Sequence, residues 1–114
     1  MKLDRNTEGN EGRGKYAILK LRTLELFKGS NTFYGLHPEL ARAIYVLEEA
    51  GVLDWGDVGT ESEFFLIRLK DMFACDALQA YSLAAKQVDP EYAAEVFELA
   101  MRSGAHSPFC KLPD

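Results

Sequence analysis

The chain has 114 residues and a mass of 12.8 kDa, with 47% apolar and 27% charged residues, a balance that fits one globular domain. No apolar run approaches the roughly 18 to 20 residues that span a bilayer, and residues 1–6 lack the apolar stretch of a secretory leader, which argues against a membrane and for a cytoplasmic address. The net charge of −5 conceals an asymmetry: residues 1–30 carry seven Lys and Arg against four acids, and residues 31–114 carry six against fourteen, so nucleic acid is disfavoured as a partner of the acidic body.

Residues 1–14 hold only two apolar side chains among Gly, Asn and charged residues and read as a polar arm. Residues 15–104 follow as a single domain, and residues 105–114 as an irregular tail that Pro108 and Pro113 keep from regular structure. In residues 15–24 the alternation Leu19, Lys20, Leu21, Arg22 predicts a strand with one covered face. Residues 26–36 contain Gly29, Ser30, Asn31 and Gly35 and read as a loop. Pro38 and Glu39 suit the first turn of a helix that Gly51 ends, with Leu40, Ala43, Ile44 and Leu47 on one face. Residues 52–58 and 64–70 then predict a hairpin of two strands about a turn at 59–63.

Asp71 is placed to cap a helix over residues 72–88, with Phe73, Ala77, Ala80, Tyr81 and Ala84 as its buried stripe. Asp89 and Pro90 open another to about Ser103, with Ala93, Val96, Phe97, Ala100 and Met101 inward. The order is β-α-β-β-α-α, an α+β sandwich with helices on one face of a small sheet.

Two motifs at the ends and one in the middle carry a resemblance: Lys2-Leu3-Asp4-Arg5-Asn6 with Gly12-Arg13-Gly14-Lys15-Tyr16, then Glu63-Phe64-Phe65 with Leu69-Lys70-Asp71, and finally Ser107-Pro108-Phe109-Cys110-Lys111. Together they resemble a group of small uncharacterised proteins of bacteriophages and bacterial genomes. The resemblance implies a mobile-element origin and transfers no catalytic role. Residues 27–37 have no counterpart in that group.

Candidate chemistry is sparse. His106 and Cys110 are four apart, but Pro108 denies them a common helical face and no third group is evident to orient them. Cys75 and Cys110 are too few for a disulfide framework, and two His with two Cys lack the paired spacing of structural zinc sites. His37 fits a helix start better than a base, and Glu61 and Glu63 read as solvated acids. Gly9, Gly12 and Gly14 precede a predicted strand, whereas a dinucleotide-binding loop follows one, so no cofactor is expected. Tyr16, Phe64 and Phe65 could offer stacking surfaces, yet neighbours on a strand point to opposite faces.

The expectation from residues alone is a non-enzymatic, self-associating binding module. If the first and third strands neighbour each other, Lys20, Arg22, Arg68 and Lys70 share the open sheet face, joined by Arg5 and Arg13 from the arm. Such a face would take a small anionic ligand, phosphate-bearing or carboxylate, or a protein partner. The alternatives are a small hydrolase or nucleotide-processing enzyme using His106 and Cys110, and a single-stranded nucleic-acid binder. Leu3, Phe109 and Leu112 mark the two ends as parts of a subunit contact.

Overall fold

The computed structural model describes residues 1, 3, 14–24 and 38–113. Most of the polar arm, with Arg5 and Arg13, lies outside these residues, and so do the whole of the loop at 26–36 and His37. The elements are helical: α1 (Leu21–Leu24), α2 (Pro38–Glu49), α3 (Ala74–Ala85), α4 (Pro90–Ala100) and a one-turn 3-10 helix at Gly104–His106. The chain divides into two compact units, one of Ile18–Phe65 and one of Met1–Ala17 with Leu66–Asp114.

The expected α+β sandwich is overturned. Among the described residues the β pairing is a single parallel bridge between Asp71 and Lys111, and no sheet forms. Each predicted strand fails for a local reason. Of residues 15–24, Leu21–Leu24 form a helical turn, and residues 16–20 have no regular structure. Within 52–58, Asp54 accepts a hydrogen bond from the Gly56 amide at 2.9 Å and Gly56 takes φ +62°, so an Asx turn interrupts the strand in its middle. Residues 64–70 are rich in β-formers, but that preference becomes structure only against a paired strand, and Phe65 is left 88% exposed. The turn between them does form, closed by the Gly59 amide on Glu63 Oε1 at 2.9 Å and the Thr60 hydroxyl on the Asp57 carbonyl at 2.6 Å.

In the Ile18–Phe65 unit, α2 begins at Pro38 as expected and stops in a Schellman arrangement. Gly51, at φ +72°, donates to Glu48 O and Val52 donates to Leu47 O, both at 3.0 Å. Its buried positions are Ala41 and Ile44, with Leu53 folded against them after the turn. Ala43 and Leu47, expected inside, are exposed.

The other unit is built on an antiparallel hairpin. Asp89 caps α4 by accepting from the Tyr92 amide at 3.1 Å, with Pro90 just inside the helix, as the sequence predicts. Asp71 acts one turn before α3, accepting from the Phe73 amide at 2.8 Å. Small residues make the core between the helices: Ala74, Cys75 and Ser82 of α3 are buried against Ala93, Val96 and Ala100 of α4. The Ser82 hydroxyl donates to Ala93 O at 2.6 Å and the Ser103 hydroxyl to Ala100 O at 2.8 Å, so neither buried hydroxyl lacks a partner.

The expected stripes are therefore corrected. Phe73, Ala80, Tyr81 and Ala84 of the α3 set, and Phe97 and Met101 of the α4 set, are exposed. Two helices meeting through Ala and Ser come too close to house a phenyl ring between them.

The tail is irregular but fastened. Gly104 donates to Leu69 O at 2.8 Å, Met72 to Lys111 O at 2.9 Å and Lys111 to Lys70 O at 3.0 Å, which straps residues 104–111 along residues 69–72. Gly104 has φ +56°, and a Cβ there would lie 2.9 Å from Cys75 Cβ and 3.1 Å from Met72 O. Only glycine suits that place.

Candidate functional site

The outer side of the α3–α4 hairpin carries a shallow groove of about 800 Å³. Helical spacing makes it. Asp76, Gln79, Ala80 and Leu83 recur three or four apart along α3, and Pro90, Ala93, Ala94 and Phe97 do so along α4, so both ridges face one side. The floor is apolar and its two tallest features are open to solvent, Leu83 at 69% and Phe97 at 47% exposure. Gln79 is held by donating to Cys75 Sγ at 3.1 Å, which ties one wall of the groove to the buried core.

Charge is distributed along the groove rather than across it. Because the helices run antiparallel, Asp76 near the start of α3 lies at the same end as Glu98 near the close of α4, and Lys86 lies at the other. Among the described residues none of these three is engaged in an ion pair. The groove is thus acidic at one end, basic at the other and apolar between.

Tyr81 and Tyr92 also connect the two helices. Their hydroxyls share a hydrogen bond of 3.0 Å and their rings meet edge to face at 6.2 Å. That bond, with burial and the nearby Glu95 charge, pushes the Tyr92 hydroxyl up to about 12, so it stays protonated at any physiological pH. At the α3–α4 corner, the Met1 ammonium donates to Asp89 Oδ2 at 3.0 Å. The Tyr92 amide first, and then this ammonium, hold the Asp89 carboxyl below its ordinary value of 3.8. In the other unit the Ser62 hydroxyl, and after it the Gly56 amide, lower Asp54 in the same way.

The sheet expected to align Lys20, Arg22, Arg68 and Lys70 is absent among the described residues. Lys20 is exposed before α1, and Arg22 falls within α1. Arg68 and Lys70 belong to the other unit, in the segment before α3, where Arg68 is exposed and Lys70 half-buried. Without that sheet the geometric argument for a shared face is gone. His106 ends the 3-10 turn and is exposed; Cys110 is half-buried, and its amide donates to Ser107 O at 3.2 Å. No group of three or more His, Cys, Asp or Glu able to hold a metal occurs among the described residues. No helix among them is long and apolar enough to cross a membrane.

Sequence reasoning missed the groove because it assigned Phe97 to the core. The signal that could have found it is the pairing, on both helices, of an Ala-rich stripe with a separate stripe of larger apolar residues. A helix apolar on two sides has one side left over when its partner covers only the other. Comparison with protein-family profiles, with curated proteins and with solved structures gives no match.

Proposed function

We propose that the chain is a non-enzymatic interaction module, acting in the cytoplasm, that engages a protein partner through the outer groove of the α3–α4 hairpin. The observation that carries this reading is the joint exposure of Leu83 and Phe97 over a mainly apolar groove. Scattered apolar side chains on a surface need no explanation, but a lined groove of them, flanked by charge, has the anatomy of a contact surface. A groove between two helices accepts a further helix or helix pair by ridge-into-groove packing, which favours a protein over a small anion.

The test is photo-crosslinking in intact cells from a benzoylphenylalanine placed at position 83, with position 102 as an exposed control. A discrete, saturable adduct from 83 and none from 102 is expected. Equal, diffuse labelling from both sites would refute the reading. So would a hydrolytic or nucleotide-processing turnover that disappears in His106→Ala or Cys110→Ser while the circular dichroism spectrum is retained.

A further inference from the structure

We infer that Tyr81 and Tyr92 form a site of oxidative modification, at which a one-electron oxidant of the peroxidase class joins the two rings by a carbon–carbon bond and ties α3 covalently to α4. Neither ring lines the groove, so the inference stands apart from what the groove binds.

The geometry of the pair suits that bond. The two phenol oxygens are 3.0 Å apart and the ring centroids 6.2 Å. A phenoxyl radical carries its unpaired electron on the oxygen and on the ring carbons ortho and para to it, and in tyrosine the para carbon already bears the side-chain methylene. Coupling therefore falls to the ortho carbons, each bonded to the carbon that holds the oxygen. A contact between the two oxygens is the arrangement that brings ortho carbons together. The rings cross at 73°, and a biaryl with a hydroxyl beside its new bond is itself twisted, so coupling requires no stacking. The remaining approach is a rotation about side-chain bonds, for which Tyr81, at 53% exposure, has room. Among the described residues no other two tyrosines are in ring contact.

Hydrogen peroxide supplies two oxidising equivalents, which a peroxidase haem delivers one electron at a time. The first step takes an electron and the phenolic proton from one tyrosine. Hydrogen-atom exchange across the 3.0 Å bond lets that radical rest on either ring. The second step takes an electron and a proton from the other tyrosine, and the two radicals pair to form the ortho–ortho bond. Each ortho hydrogen then moves to its own oxygen, restoring the aromatic rings. The chain has lost two hydrogens, and the peroxide has become two waters. A tyrosine already in contact is a far more concentrated partner than one on a separate chain in micromolar solution, so the link forms within one chain.

The experiment treats the full chain, at low micromolar concentration, with a haem peroxidase and one equivalent of hydrogen peroxide. The expected product is a single chain lighter by two hydrogens, with dityrosine fluorescence and a higher melting temperature than the untreated protein. Trypsin cuts after Lys86, between the two tyrosines, so the link appears as peptides 71–86 and 87–102 joined. Tyr81→Phe and Tyr92→Phe should each lower the yield of this product about tenfold or more, while Tyr45→Phe leaves it unchanged. Circular dichroism verifies that each variant is folded, and if one is not, the other carries the test. Links formed mainly between chains through Tyr16 or Tyr45 overturn the inference. So do oxygen addition without a link, no reaction, and a yield that survives both Tyr81→Phe and Tyr92→Phe.

Discussion

Replacing Gly104 with alanine separates the two reasons a glycine can be required. At Gly51 the backbone has φ +72° and a Cβ would meet nothing within 4 Å, so Gly51→Ala incurs only the left-handed strain of about 1 to 2 kcal/mol. The stiffer unfolded chain returns roughly 0.4 to 1 kcal/mol of that. At Gly104 the strain is similar, at φ +56°, but the added Cβ lies 2.9 Å from Cys75 Cβ, 3.1 Å from Met72 O and 3.2 Å from Cys75 N. Those are backbone or Cβ positions at the start of α3 and cannot swing aside as a long side chain can. Overpacking of this kind adds about 1 to 3 kcal/mol.

Gly104→Ala should therefore destabilise by about 2 to 4 kcal/mol, against about 1 kcal/mol or less for Gly51→Ala. Urea titrations followed by circular dichroism at 222 nm measure both, each on the transition of its own unit. Asparagine sharpens the comparison, since it tolerates the left-handed region. Gly51→Asn should recover stability relative to Gly51→Ala, whereas Gly104→Asn should be no better than Gly104→Ala. Equal losses at the two positions, or a rescue by asparagine at 104, would show that the contact with Cys75 is not there.

Val96 is nearly fully buried while Phe97 is half exposed, so Val96→Ala should cost on the order of 2 kcal/mol and Phe97→Ala under about 1 in dilute solution; thermal melts that reverse this order would return Phe97 to the core. Ser82→Ala removes a buried hydroxyl that donates to Ala93 O and should cost about 1 kcal/mol by the same measurement. Asp89 has its carboxyl held below 3.8, so its contribution is present above that pH and is lost as the pH falls through the lowered native value. Asp89→Asn keeps a capping acceptor but no titration, and its melting temperature should fall less steeply than wild type below pH 4; parallel curves would contradict the assignment.

The helix starts were legible because capping is local. Pro38, Asp89 with Pro90, and Gly51 act within a turn of themselves, and α2 and α4 begin and end close to where those residues indicate. The strands were not legible, because β composition states a preference that only a partner strand can satisfy. Asp54 and Gly56 were the warning inside residues 52–58, and the Leu21–Leu24 turn shows that four alternating residues weigh little against leucine's helical preference. The argument for a cationic face through Lys20, Arg22, Arg68 and Lys70 rested on that sheet and lost its support with it. The groove was half legible. Ala93, Val96 and Ala100 were placed inward correctly, but sequence periodicity does not reveal how near the two axes approach. That nearness, set by Ala and Ser at the crossing, turns Phe97 outward.

The strap that fastens residues 104–111 along residues 69–72 also sets an order of events. Met72 and Lys111 are about 40 residues apart, and closing so long a loop from an open chain costs roughly 3 kcal/mol beyond a constant. Three backbone hydrogen bonds, at a net of about 1 kcal/mol each, barely match that. Once α3 and α4 have paired, through contacts local in sequence, the loop is already almost closed and the same three bonds form at little entropic cost. The strap is then the last part of its unit to form and the first to open. Exchange of the Lys111 amide would read the intactness of the hairpin before the hairpin itself gives way.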